Sequence, residues 1–443
     1  MSATETTPVQ VVEADLTLVE GVFRPGVRVA ISGDGRISQV GALPEPPTNR
    51  LTRRALLPGF VNVHSHAFQR ELRGHGETYP AGRGDFWSWR EAMYALVERL
   101  PKERVLAVYR AAFAEMRAAG YTTVGEFHYL RHSDGDSADF ALDEPVIAAA
   151  ADAGVRLVLL STFYRTGGIG KPLNRAQRRF ATEDVDAFLA NLDQLSRKID
   201  PRTHSLAIAP HSIRAVPPDD LQRLFAAAAD RGLPCHIHLE EQRRELDESR
   251  AALGVTPMRW VLDHTSVGAN CTAIHATHAD GESLDHWLAS GARVCLCPIT
   301  EGNLGDGVAD VPRMLARDDA LCIGSDSNIR LDPFEELRWL EFVQRLKAEK
   351  RGVGRRADGE LALRLLRIGA ANGAAALGVH AGRIAPGLAA DFCTLDLDHR
   401  ELRGATSETL AAHVVFGGSA ACVAETCVNG QWRAANSEKR ITE

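Results

Sequence analysis

The chain is predicted to fold as an α/β protein, a (β/α)8 barrel carrying a small β-sandwich built from both chain ends. Three observations predict it. Eight short apolar runs alternate with Ala- and Leu-rich stretches of helical spacing through the middle of the chain. Polar side chains able to bind a metal gather at the C-terminal ends of those runs, where barrels of this kind keep their active sites. Both chain ends instead carry short alternating strands separated by turn residues. The expected division is 1–56 with 382–443 for the sandwich and 57–381 for the barrel.

The elements follow in order. VQVVEADLTLV (9–19) and VRVAISGDGRISQV (27–40), then the Pro-rich LPEPP (43–47), read as the strands and turns of a β layer. The eight barrel strands are PGFVNVHSH (58–66), TTVGEFHY (122–129), VRLVLLSTFY (155–164), HSLAIAPHS (204–212), LPCHIHLEE (233–241), NCTAIHATH (270–278), ARVCLCPIT (292–300) and DALCIGSDSN (319–328). Stretches such as RVLAVYRAAFAEMRAAG (104–120) and PDDLQRLFAAAADRGL (218–233) have helical spacing and reach a Gly before the next strand. After residue 382, GRIAPGLAADFCTLDL (382–397), AAHVVFGG (411–418) and CVAETCVNGQWR (422–433) again read as strands and turns, and 436–443 as a frayed tail.

Composition narrows the function classes. With 45% hydrophobic and 25% charged residues the chain has ordinary globular composition, so disorder is not the default. A net charge of -7 and a pI near 6.2 give no electrostatic reason to expect nucleic acid or an anionic membrane as partner, so a small molecule is expected. The start, MSATETTPVQ, has neither a basic nor an apolar leader region, and a cytosolic protein is expected. Eight cysteines form no C-x-x-C pair and sit mostly in apolar runs, where they act as small hydrophobes; Cys295 and Cys297, on one strand face, are read as buried thiols.

His64 and His66 are two apart on a strand, so their imidazoles point to one face. An isolated His-x-His is more often satisfied by neighbouring carbonyls. Here the other strand ends carry His128 and Tyr129, Tyr164, His211, His238, His275 and Asp326, and that clustering favours a metal centre. Three imidazoles and a carboxylate hold a divalent ion while leaving room for water, whose pKa falls from ~15.7 towards ~7. The expected ligands are His64, His66, His238 and Asp326, with Asp326 also accepting a proton from the attacking water. His236 competes with His238, which lies nearer its strand's end. One divalent ion is expected, with zinc first and iron or manganese as alternatives. Glu241 or its neighbour Glu240 is the candidate acid, and spacing does not separate them. His275 is the candidate for stabilising the tetrahedral intermediate or orienting water, whereas His278 is expected to be structural.

The segments PGFVNVHSH, HIHLEE, IHATH, GSDSN and GRIAPGLAADF resemble the amidohydrolase superfamily along nearly the whole chain. No lysine sits close behind the third or fourth strand to be carbamylated, Lys171 lying several residues beyond Tyr164, which points to the mononuclear branch of that superfamily. Within it, HSHAFQRELRG, FWSWREAMY, GEFHYL, PHSIRAV and HLEEQRRELDE are similar to the deiminases of histidine degradation. That resemblance implies hydrolysis of N-formimidoyl-L-glutamate to N-formyl-L-glutamate and ammonia, with Glu241, His275 and Asp326 catalytic. It also implies substrate contacts at Gln69, Arg90, Tyr129, His211 and Arg214, and a homodimer. The contacts make physical sense, because a dicarboxylate asks for two basic anchors and each guanidinium can fork onto a carboxylate. Trp87 and Trp89 are expected to pack or cover the site. The alternatives are a deaminase of guanine-, cytosine- or adenosine-type rings on the same barrel, or a non-catalytic scaffold.

Overall fold

The computed structural model describes residues 9–77, 79, 86–136 and 138–435; the expected tail at 436–443 lies outside them. Eight parallel strands follow one another around a barrel: Phe60–Ser65, Tyr121–His128, Arg156–Phe163, His204–Pro210, Cys235–Leu239, Cys271–His275, Arg293–Leu296 and Leu321–Ile323. Most are buried along their whole length, which is why they read as unbroken apolar runs and not as alternating ones. Helices connect them and end where the sequence suggests. Pro218–Arg231 starts with Pro at its first position and Asp219 and Asp220 in its first turn, and stops at left-handed Gly232.

The eighth strand closes on the first. The Ser325 and Asp326 amides donate to the His64 carbonyl at 3.0 and 2.9 Å, and the His66 amide donates to the Asp326 carbonyl at 2.9 Å. That closure brings together side chains far apart in sequence. It depends on Gly324, where an added Cβ would stand 2.7 Å from the Cβ and carbonyl oxygen of His64.

The chain ends form one separate eight-stranded sheet. Its order is Gln431–Ala434, Val423–Val428, Phe392–Asp396, Asn49–Pro58, Gln10–Val19, Arg28–Ile31 and Ile37–Gly41, with Val22–Arg24 paired to Gln10–Val19. It curls over its own core of Val12, Val29, Ile37, Leu56, Phe392 and Cys427, and Ile37 bonds across to Gly387 and Leu388 at 2.8 Å. Arg156 of the third barrel strand clamps this sheet through Asp391 at 2.7 and 3.1 Å. AAHVVFGG, expected to be extended, is instead the helix Leu410–Gly417. A short run apolar on nearly every side has no period to separate helix from strand, and Leu410, Ala411, Val414 and Val415 bury a helical stripe. Among the described residues no helix is long and apolar enough to cross a membrane.

His128, at the second strand's end, faces outward into a buried ion cluster. Its Nε2 lies 3.0 Å from Asp143, which also accepts from Arg131 at 2.6 Å and Asn191 at 2.8 Å. Burial alone would raise the Asp143 pKa, but Arg131 and His128 outweigh it and hold the carboxyl well below its usual range. The sign follows: the stabilisation is complete above the unfolded value of about 3.9 and is lost as pH falls below it. Asp143→Asn leaves Arg131 buried without its counter-charge and is expected to cost roughly 3–5 kcal/mol at neutral pH. In urea titrations from pH 7 to pH 3, the variant should show a shallower acid loss than the parent; identical slopes would refute the account.

Candidate metal centre and active site

At the barrel's C-terminal mouth the ligand atoms of His64, His66, His238 and Asp326 all lie within 4.8 Å of one another, and all four residues are buried. His64 Nε2 is 3.1 Å from His66 Nε2 and 3.2 Å from His238 Nε2, and Asp326 Oδ1 is 3.4 and 3.3 Å from the His64 and His66 nitrogens. His66 and His238 donate through Nδ1 to the carbonyls of Phe127 and His211, at 3.0 and 2.9 Å. Those bonds leave both Nε2 lone pairs turned inward.

Three nitrogen lone pairs and a carboxylate directed at one point repel each other unless a cation sits between them. Electrostatics agrees with this donor set. Burial, followed by the neighbouring His64, lowers His66 to about 3, and burial lowers His238 well below the usual value, so both imidazoles are neutral. Burial would raise Asp326, but the facing His64 and the His275 imidazolium hold it below its usual range. Neutral nitrogens with one carboxylate are the ligand chemistry of a divalent ion such as zinc. His236, the expected rival, bonds the Ala376 carbonyl at 2.9 Å and stays out of the cluster. Lys171 pairs with Glu248 at 3.2 Å on the surface and bridges nothing here.

Beside the cluster, His275 Nε2 stands 3.8 Å from both Asp326 Oδ2 and Glu241 Oε1. Burial would lower its pKa, yet Glu241, Glu301 and Asp326 push it up to about 10. Burial raises Glu241 to about 7, a value suited to proton transfer near neutrality. Glu240 turns away. Its backbone has φ +57°, and its carboxylate accepts the Met258 amide at 2.9 Å, satisfying the start of the helix Pro257–His264. His275 and Asp326 also hold positive φ, at +71° and +47°, in conformations that cost about 1–3 kcal/mol each and collect at functional sites.

Gln69, Arg90, Tyr129, His211 and Arg214 line the same cavity as His66, His238, Glu241, His275 and Asp326. Gln69 donates to the Tyr129 hydroxyl at 2.7 Å, and its own oxygen has no hydrogen-bond partner among the described residues. Arg90 donates to Tyr94 at 2.7 Å. Arg214 has long ion pairs to Glu241 and Glu245, at 3.9 and 3.8 Å, and its Nε has no hydrogen-bond partner among the described residues. His211 is kept neutral by burial and by the two arginines. Trp89 lines this cavity, while Trp87 lies under the guanidinium groups of Arg90 and Arg244. His278 is not among the residues lining this cavity.

Sequence reasoning missed several participants. Glu301 accepts from His275 Nδ1 at 3.1 Å and from the Cys297 amide at 2.9 Å, and so fixes the imidazole. It sits one turn into the helix Pro298–Leu304, and its place directly after the expected seventh strand (292–300) was the only signal for it. Tyr94 and Gln177 join Arg90 and Tyr164 into one network through bonds of 2.7–3.0 Å. All eight cysteines are free and buried.

Comparison with known proteins places these features in context. Residues 55–433 match the model of the amidohydrolase family. The chain is 39% identical over 420 residues to formimidoylglutamate deiminase of Pseudomonas aeruginosa, covering 94% of this chain and 92% of that protein. It is 28% identical over 427 residues to a 5-methylthioadenosine/S-adenosylhomocysteine deaminase of Pelotomaculum thermopropionicum, covering 93% and 89%. Among solved structures, an amidohydrolase from Brucella melitensis superposes with a TM-score of 0.87 at 34% identity, over 96% of this chain and 94% of that one. An adenosine deaminase from Xanthomonas campestris with bound zinc superposes at 0.80 and 23% identity, over 98% and 94%, which speaks for the fold.

Proposed function

The chain belongs to the amidohydrolase family, and from that premise we propose that it hydrolyses N-formimidoyl-L-glutamate to N-formyl-L-glutamate and ammonia, a step of histidine degradation. The observation that carries the reading is one cavity lined both by His66, His238, Asp326 and Glu241 and by two guanidinium groups, Arg90 and Arg214. A formimidoyl amino acid with two carboxylates offers a partner to each kind of group. The full-length likeness to the Pseudomonas deiminase supports it.

His64, His66, His238 and Asp326 would hold one divalent cation, for which zinc is our choice. Bound there, the ion supplies a Lewis acid that makes water acidic enough to act as a nucleophile near neutral pH. Asp326 takes the proton of the attacking water as it adds to the formimidoyl carbon. Glu241 delivers a proton to the nitrogen that leaves as ammonia, and the His275 imidazolium, held by Glu301, steadies charge on the tetrahedral carbon's substituents. Arg90 and Arg214, with Gln69, Tyr129 and His211, hold the glutamate moiety so that its far end meets these groups. In this reading the enzyme is cytosolic and homodimeric, and residues 1–56 with 382–443 form one unit beside the 57–381 barrel.

The test is ammonia release from N-formimidoyl-L-glutamate beside 5-methylthioadenosine and guanine. Turnover of the amino acid alone is expected, because a flat neutral ring offers no carboxylate to Arg90, nor to Arg214, whose ion pairs to Glu241 and Glu245 are long, at 3.9 and 3.8 Å. Turnover of a ring with none of the amino acid would overturn the substrate assignment. Arg90→Ala is expected to raise KM by roughly 10–100-fold with a smaller change in kcat, the loss of charged hydrogen bonds made in ground and transition states alike. Steady-state kinetics check it; an unchanged KM would remove Arg90 from the binding role.

A further inference from the structure

Far from the barrel mouth in sequence, three side chains of different chemistry converge in the C-terminal region. His399 Nδ1 lies 3.3 Å from Cys422 Sγ, Cys422 Sγ lies 3.3 Å from Glu401 Oε2, and His399 Nδ1 lies 3.9 Å from that same oxygen. We propose that His399, Glu401 and Cys422 form a second, structural metal site for a zinc-class cation, independent of the barrel centre and of the proposed reaction.

The geometry suits it. Tetrahedral zinc with bonds of about 2.3 Å to sulfur and about 2.0–2.2 Å to nitrogen and oxygen sets its ligand atoms roughly 3.3–3.6 Å apart. The three donor separations, at 3.3, 3.3 and 3.9 Å, lie within a few tenths of an ångström of that spacing. Glu401 is oriented from outside by Ser419, whose hydroxyl donates to Oε2 at 2.7 Å, the kind of outer bond that fixes a ligating carboxylate. His399 Nδ1 also accepts from the Glu401 amide at a long 3.4 Å, a contact weak enough for a cation to replace along with the one to Cys422. Cys422 is buried, while His399 and Glu401 keep 23% and 26% of their side-chain surface exposed, so an ion has a path in and a fourth position remains for water.

Charge and protons balance simply. A metal–sulfur bond forms as the thiol proton leaves to solvent, and thiolate plus carboxylate neutralise a divalent ion. The site has a mechanical consequence. His399 and Glu401 belong to the turn before the helix Leu410–Gly417, and Cys422 ends the turn after it, immediately before the strand Val423–Val428. One ion would therefore staple both ends of this helical excursion to the terminal sheet.

Sulfur separates this site from the barrel centre, whose nitrogen and oxygen donors give no thiolate signal. The full-length protein, stripped with a chelator, is titrated with Co(II) while the thiolate-to-cobalt charge-transfer band in the near ultraviolet is followed, and bound Zn(II) is counted by mass spectrometry. The expected result is two equivalents of zinc and a thiolate band in the parent. Cys422→Ser and His399→Gln should each bind one equivalent and lose or strongly weaken the band. Cys297→Ser should keep it, although Cys297 is the cysteine beside His275 and Asp326. Absence of the band in the parent, or its persistence in Cys422→Ser or at full strength in His399→Gln, would overturn the proposal; His399→Gln, at a partly exposed position, keeps the test decisive if the buried substitution unfolds.

Discussion

Asp326→Asn is expected to lower ammonia release from N-formimidoyl-L-glutamate by about 10⁴-fold or more, with the fold intact by circular dichroism. The substitution keeps the shape of a side chain held at φ +47° but removes its charge. Two functions then fail together, because the same carboxylate faces the His64 and His66 nitrogens at 3.4 and 3.3 Å and is the proposed acceptor of the attacking water's proton. The zinc content of the purified variant separates the two: a variant that keeps its metal yet has lost turnover isolates the proton transfer. Activity within about tenfold of the parent would remove Asp326 from the chemistry.

Glu241→Gln is expected to lower kcat by roughly 10²–10⁴-fold while barrel metal binding is unchanged. Gln fits the same space and cannot carry a proton to the departing nitrogen. Glu240→Gln is the control, since that carboxylate serves the Met258 amide and not the cavity, and its cost should appear in thermal stability and not in kcat. If the two substitutions affected turnover equally, the assignment of the acid to Glu241 would fail.

The contrast between these adjacent glutamates shows where sequence reasoning stops. Periodicity places both at the end of the fifth barrel strand, and no spacing rule says which one faces the mouth. A single backbone dihedral decides: positive φ at Glu240 turns the chain, sending one carboxylate to a helix start and the next into the cavity. Likewise His128 and Tyr129 end one strand, but alternation turns Tyr129 into the cavity and His128 outward to Asp143. Glu301 and Tyr94 were illegible for a different reason. They reach the site from helices, where no strand-end rule applies.

By itself the sequence determined the barrel and a β layer at both chain ends, and it singled out His64, His66, His238 and Asp326 as candidates, which the fold brings together. Each of these is written in local order: a buried strand repeats every two residues, a buried parallel strand is apolar throughout, and barrel strands present their last residues to one mouth. Only the tertiary structure decided that Glu301 braces His275, that Arg214 faces two glutamates, and that His399, Glu401 and Cys422 meet. Those outcomes depend on through-space distances between segments whose separation along the chain carries no period, so no local pattern encodes them.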